Sequence, residues 1–225
     1  MLFRSEPCHV FHKTYDRLVD VLVAEHVHTL LHICESHILR GAYDHGTFER
    51  DVVDEAYVDF GGVTAIPLLE EYDNLVITRT FSKSRSMAGM RLGYAMGSKD
   101  AIAAVYAAKD SVNSYPVDSV AQEAGIASIK DEKYFRETIE KVIKTREHLT
   151  EKMREMGFKI PDSSTNFIFA SHEKYPAKEI FEYLKSKDIY VRWFNKPRID
   201  NYLRISIGTD EETAALLNAL KEYIK

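Results

Sequence analysis

The sequence predicts an α/β protein in which a larger sheet-and-helix region precedes a small C-terminal α/β domain. Three observations carry the prediction. Short apolar, β-rich runs alternate with helical stretches between Asp51 and Ile129. A long amphipathic stretch, about Glu132 to Met156, sets Phe135, Ile139, Val142, Ile143, Leu149 and Met153 at helical periodicity. The chain beyond it reads strand–helix–strand–strand–helix. The expected divisions are an atypical N-terminal segment at 1–50, a larger domain at 51–130, and a connector helix with the small domain at 131–225.

The N-terminal segment stands apart in composition. His9, His12, His26, His28, His32, His37 and His45 crowd it, both cysteines (Cys8 and Cys34) lie in it, and Lys13 is its only lysine. From about Leu18 to Leu39 apolar residues recur at helical spacing without proline or glycine, which predicts a helix. His28 and His32 are four apart and would share a face of that helix, a spacing a metal can use. No paired CxxC or HExxH frame accompanies them, so a histidine-rich helix is the plainer reading and no metal is expected. The abrupt change in residue usage also fits a shifted reading frame or a misjoined start, so whether 1–50 is native coding sequence stays open.

From Asp51 the pattern becomes regular. Asp51-Val52-Val53 leads into Asp54 as a short buried strand. Gly61-Gly62 and Pro67 mark a loop before a helical turn at about Leu68 to Tyr72. Leu75 to Thr80 and Arg91 to Gly97 read as strands, and Ser98 or Asp100 suits the N-cap of a helix from Ala101 to Lys109. A break at Asn113-Ser114-Tyr115-Pro116 precedes a helix from Val117 to Ile129. The long helix from Glu132 closes with Gly157 at C′. Asn166 to Ala170 is a strand, Ala177 to Lys187 a helix with Ile180, Phe181 and Leu184 inward, and Ile189–Phe194 and Leu203–Ile207 are strands. Thr209 or Asp210 caps a last helix ending near Tyr223.

Bulk properties narrow the function classes. Over 225 residues the formal net charge is −5, which argues against nucleic acid or an anionic membrane as a general partner. Two cysteines make no disulfide framework, so a reducing cytoplasm is the simpler setting. No apolar run reaches the roughly 18 residues of a membrane span, and no signal peptide is evident.

Chemistry concentrates around Lys83, in the run Thr80-Phe81-Ser82-Lys83-Ser84-Arg85-Ser86-Met87-Ala88-Gly89-Met90-Arg91-Leu92-Gly93-Tyr94. A lysine set just past a strand, between small hydroxyl residues, suits covalent capture of an aldehyde, and burial beside other cations would favour its neutral amine. Asp54, at a strand end in Val53-Asp54-Glu55-Ala56-Tyr57, can pair with a pyridinium. Tyr57 can donate to a ring phenolate, and Ser82 and Arg91, with Thr80 as a weaker candidate, can hold a phosphate. Taken singly each has a plain structural reading: a surface lysine, a turn carboxylate, a packing tyrosine. Their ordered combination is what points to a site.

That ordered set resembles class I/II aminotransferases, which use pyridoxal phosphate, and within them histidinol-phosphate aminotransferases. The resemblance runs from about Asp51 to Lys225 and includes Asp54-Glu55-Ala56-Tyr57-Val58-Asp59-Phe60, the Lys83 motif, and Asn201-Tyr202-Leu203-Arg204-Ile205-Ser206-Ile207-Gly208-Thr209. It implies part of a fold-type-I large domain, with a mixed, mostly parallel sheet and flanking helices, then a small domain. It implies Lys83 as the catalytic Schiff-base lysine, Asp54, Tyr57, Ser82 and Arg91 as cofactor contacts, and Arg204 and Arg192 as substrate-anion ligands. Asn166 matches a position of structural support near the site. The activity implied is transamination of histidinol phosphate with 2-oxoglutarate or glutamate in histidine biosynthesis, by a cytoplasmic homodimer.

Two elements of the family pattern are not found. One is the glycine-rich turn whose backbone N–H groups bind the cofactor phosphate at a helix start. The other is an Asn-Pro-containing run whose asparagine meets the ring phenolate. An N-terminally truncated or aberrant member is therefore expected. Two alternatives accompany the aminotransferase reading: a catalytically impaired remnant, and a related pyridoxal-phosphate enzyme acting on another phosphorylated or aromatic amino acid.

Overall fold

The computed structural model describes residues 19–24, 51–113, 115 and 117–224. They fall into two compact units. One holds the described residues up to Ala56 together with Val63–Phe135, and the other holds Tyr57–Gly62 and the chain from Arg136 onward.

The first unit is built on a four-stranded mixed sheet of β1 (Val19–Ala24), β2 (Asp51–Asp54), β3 (Leu75–Thr80) and β4 (Gly93–Ser98), in the order β1-β4-β3-β2. β1 corrects the helix expected from Leu18 to Leu39. Its sequence, Val-Asp-Val-Leu-Val-Ala, is rich in β-branched residues, and it pairs antiparallel with β4 from Val19↔Ser98 to Ala24↔Gly93. Pairing along a whole neighbouring strand outweighs a helical spacing of apolar residues. The rest of that expected helix, and the histidine cluster, lie outside the described residues.

A second correction concerns strand direction. Among the described residues only β2 and β3 run parallel, while β3–β4 and β1–β4 are antiparallel, so this part of the sheet is not mostly parallel. The reason is the connection: residues 81–92 hold only a 3-10 turn, Ala88–Met90, and no crossover helix, so β3 folds straight back as β4. A third concerns β2, whose residues are exposed or half-buried rather than buried. β2 ends the strand order and has one neighbour in it.

Two helices complete this unit. α1 (Lys99–Val112) starts where Ser98 Oγ accepts from Ala101 N at 3.3 Å, and it buries Ala101, Ile102, Val105 and Ala108. α2 (Ser119–Lys130) is capped by Asp118 Oδ1, which accepts from Ala121 N at 2.9 Å. Its small inward residues, Ala121 and Gly125, let Phe81 and Leu92 close over it.

The second unit takes most of α3 (Glu132–Glu155), whose buried side chains are Ile139, Thr145, Arg146, Leu149 and Met153. Gly157 follows at φ +89, the left-handed conformation a helix end needs and glycine adopts without strain. An antiparallel sheet of β5 (Phe158–Lys159), β6 (Phe167–His172), β7 (Arg192–Trp193) and β8 (Leu203–Ser206) has the order β5-β6-β8-β7. α4 (Ala177–Ser186) and α5 (Asp210–Tyr223) supply Ile180, Leu184, Leu217 and Leu220 to a core shared with Leu149, Met153, Ile168 and Leu203. Each fully buried leucine or isoleucine contributes about 1.5–3 kcal/mol. Thr209 and Glu212 form a reciprocal capping box on α5. Among the described residues no helix is long and apolar enough to cross a membrane.

Candidate active site

In the first unit, the parallel pairing of β2 and β3 brings two chain exits to the same end of the sheet. Asp54 is the last residue of β2, opposite Thr78, and Glu55 N continues the ladder to Thr78 O at 2.8 Å. Lys83 follows three residues after the end of β3. The carboxyl ends of adjacent parallel strands are where α/β sheets bind ligands, because the chain there is free to turn outward. The Asp54 carboxylate accepts from Ala56 N at 2.9 Å, which holds the first residues beyond β2 in a tight bend.

The Lys83 turn is fixed by backbone bonds. Phe81 N donates to Leu92 O at 3.0 Å, Met87 N to Phe81 O at 2.9 Å, and Ser86 N to Lys83 O at 3.2 Å. Thr80 Oγ1 accepts from Ser82 N at 3.0 Å. The Phe81–Leu92 pair closes the hairpin mouth, so Ser82 and Arg91, its immediate chain neighbours, emerge together. Arg91 lies at φ +53 and donates from Nη1 to Ala88 O at 2.8 Å. Phe81 and Leu92 are buried beneath this mouth, while Lys83 itself is exposed. It occupies a bend that projects past the sheet end.

Below this end lies a cluster that sequence reasoning missed. Glu55 is buried, and its carboxylate accepts from Thr64 Oγ1, from Ala65 N, and from Arg79 Nε and Nη2 at 3.0 and 2.8 Å. Burial alone would depress the Arg79 guanidinium, but Tyr94 and Glu55 beside it outweigh that and raise it. The signal was present in Glu55 standing next to Asp54, but its partners lie 9 to 24 residues away.

In the second unit, the sheet buries one face and offers the other. Leu203 and Ile205 of β8 are buried, whereas Arg204 and Ser206 are exposed. The cross-strand register puts Arg192 of β7 directly opposite Arg204, and Phe169 of β6 on Arg204's other side. Directly opposite residues point to the same face of a sheet, so the two guanidinium groups share it. The Arg204 guanidinium carbon lies 5.5 Å from the Phe167 ring centre and 6.0 Å from that of Phe194, and Arg192 lies 5.5 Å from Phe194. Phe169 stacks on Tyr202 at 4.5 Å with the rings 6° apart. Tyr57 meets Phe167 edge-on, 5.6 Å between centres at 88°. Tyr57, Arg192 and Arg204 thus gather around one aromatic surface. Asn166 sits at its border, with its carbonyl accepting from Ile207 N at 2.9 Å.

The expected residues form two groups. Asp54, Ser82, Lys83 and Arg91 share a sheet end in the first unit, and Tyr57, Arg192 and Arg204 share a sheet face in the second. Among the described residues no cluster of histidine, cysteine or carboxylate side chains suits a metal.

The chain is similar to known proteins. The family model for aminotransferase class I and II matches residues 50–220. The histidinol-phosphate aminotransferase of Lactococcus lactis subsp. lactis (strain IL1403) is 52% identical over 174 residues, covering 77% of this chain and 48% of that protein. That of Clostridium botulinum (strain 657 / Type Ba4) is 49% identical over 173 residues, covering 77% of this chain and 49% of its own. The crystal structure of histidinol-phosphate aminotransferase from Sinorhizobium meliloti in complex with pyridoxal-5'-phosphate matches with a TM-score of 0.67 at 28% identity, over 77% of this chain and 48% of that one. The chain spans about half the length of the curated relatives it matches. With the family model matching residues 50–220, most of its length, the chain belongs to the class I and II aminotransferases.

Proposed function

We propose that this chain serves the pyridoxal-phosphate-dependent transfer of an amino group between histidinol phosphate and 2-oxoglutarate or glutamate, a step in histidine biosynthesis, in a cytoplasmic homodimer. The observation that carries the substrate assignment is the opposed Arg192–Arg204 pair on an aromatic face. Two like charges directly across a ladder repel. An anion bound to both relieves that repulsion, and a guanidinium fork suits phosphate or carboxylate bidentately. The surrounding rings of Phe167, Phe169 and Tyr202 suit a flat heteroaromatic group carrying that anion.

The donor set fits pyridoxal phosphate: an amine, a carboxylate at the neighbouring strand end, hydroxyls and a guanidinium. Bound there, the cofactor would supply an electron sink conjugated to the substrate Cα. Lys83 would hold the cofactor through its amine, and its Nζ would be the group that takes up and returns a proton at the substrate Cα. Asp54 would face the pyridine nitrogen and keep a proton on it. Tyr57 would donate its hydroxyl hydrogen to the ring phenolate oxygen, and Ser82 and Arg91 would hold the phosphate. Arg204 would receive the substrate anion, with Arg192 beside it on the phosphate.

The test is the visible absorption of the purified chain after adding pyridoxal phosphate and removing the excess, beside Lys83→Ala. A band present in the wild type and lost in the variant supports the reading. No difference between the two removes Lys83 from its role. Amino transfer from glutamate to the keto form of histidinol phosphate, weakened mainly in KM by Arg192→Gln, then tests the substrate.

A further inference from the structure

Arg146 is a buried cation, 8% exposed, on the inner face of α3, and nothing in the chemistry above uses it. Among the described residues it makes no ion pair. Its Nη1 donates instead to two backbone carbonyls, Phe60 O at 2.9 Å and Thr165 O at 2.8 Å. These carbonyls belong to loops more than a hundred residues apart in sequence, and each loop leads directly into the aromatic face.

Phe60 closes the turn that starts at Tyr57, with Phe60 N donating to Tyr57 O at 3.0 Å. Gly61 continues that turn at φ +102, and a Cβ there would stand 3.9 Å from Arg146 Nη2, so turn and guanidinium pack closely. Thr165 begins the entry to β6. Its hydroxyl accepts from Phe167 N at 3.2 Å and donates to Phe167 O at 2.9 Å, which fixes the Phe167 backbone relative to Thr165. One guanidinium nitrogen therefore ties the Tyr57 turn to the Phe167 entry, and these two rings are the ones that meet edge-on. Phe167 also lies under Arg204.

A merely space-filling role would be served by an apolar side chain, because taking a guanidinium out of water is costly and carbonyl partners recover only part of the loss. The geometry points to Arg146 as a positioning residue: it sets the Tyr57 hydroxyl and the Phe167–Arg204 contact relative to each other. The inference rests on the reading of Tyr57 as a cofactor contact and of Arg204 as a substrate ligand.

Two readouts on the full chain test it. In cofactor-free protein labelled at tyrosine rings, Tyr57 is assigned with Tyr57→Phe, and its ring signals are displaced by the edge of Phe167. Arg146→Met should return them toward unstructured values while the far-ultraviolet helix signal is retained. Arg146→Lys keeps a charge and donors but not a planar fork, and should displace them partway; it decides the matter if the Met variant does not fold. Unchanged Tyr57 signals in a folded variant would overturn the proposal. In the cofactor-loaded chain, Tyr57→Phe and Arg146→Lys should move the pH midpoint of the Lys83-dependent band in the same direction, Tyr57→Phe by about one unit. A midpoint moved by Tyr57→Phe and untouched by Arg146→Lys would also overturn it. Absence of any Lys83-dependent band in the wild type would count against the functional reading, and the tyrosine signals would still decide the role of Arg146.

Discussion

Replacing Glu55 by alanine should destabilise the first unit by about 3 kcal/mol, a figure that follows from the surroundings of its carboxylate. The side chain is 4% exposed, its partner Arg79 is 20% exposed, and the closest approach is 2.8 Å. Removing one partner of a fully buried pair costs about 3–5 kcal/mol because the other charge is left uncompensated. Water reaches Arg79 in part, which draws the cost toward the lower end. Thr64 Oγ1 and Ala65 N also lose their acceptor, each loss worth about 1 kcal/mol before relaxation. Glu55→Gln keeps an amide oxygen for Ala65 N and Thr64 Oγ1 and gives up the charge, so about 1–2 kcal/mol is expected. The assay is urea unfolding, reading the midpoint at constant slope. In thermal unfolding the alanine variant should lose about 6–12 °C, at about 2–4 °C per kcal/mol for a chain of this size. A double-mutant cycle with Arg79→Met should return a coupling of about 1–3 kcal/mol. An alanine cost under about 1 kcal/mol, or additivity within about 0.5 kcal/mol, would refute the account of this cluster as a buried, mutually dependent pair.

Three further outcomes are expected. Thr209→Ala removes the hydroxyl half of the α5 capping box and should lower the stability of the second unit by about 1 kcal/mol in urea unfolding. Gly125→Ala puts a Cβ 2.6 Å from Leu92 Cδ2 and should cost about 1–3 kcal/mol, shown by a lower midpoint and a shifted Leu92 methyl resonance. The Glu222 carboxyl is held below its ordinary value by the Lys187 ammonium first and by Tyr183 second. A depressed carboxylate stabilises above its unfolded pKa and loses that contribution as pH falls through the folded value. Glu222→Gln should therefore melt slightly below the wild type at neutral pH and together with it in acid.

What the sequence revealed was what short stretches of chain determine. Strand β3, the exit of Lys83, and each helix start to within two candidate caps (Ser98 or Asp100, Thr209 or Asp210) were legible, because each depends on residues within a turn or two. β1 was misread, because apolar residues at helical spacing and a strand pairing along all of β4 compete for the same segment, and only the partner decides. β5 is two residues long and carries no period to read. The role of Arg146 was invisible for a related reason. It looks like one more charge on a charged helix, and its burial depends on the carbonyls of Phe60 and Thr165, 86 and 19 residues away.

The arginine pair, proposed above to bind the substrate anion, shows how such long-range register brings candidate residues together. Sequence marks Arg192 and Arg204 as separate candidates, and only the β7–β8 pairing makes them neighbours. Among the described residues neither has an acidic partner. Like charges directly opposed across a ladder cost about 0.2–1 kcal/mol. Contacts over Phe167 and Phe194 return about 0.5–1 kcal/mol each at an exposed site. The ring contacts therefore more than offset the repulsion, and the pair is held in place by the rings rather than by a counter-charge. On the proposed reading the pair would be preorganised for an anion, since binding would add two guanidinium forks without first breaking an ion pair. Lysine at position 204 would keep the charge but lose both the planar fork and the stacking on Phe167, and the preorganisation would go with them.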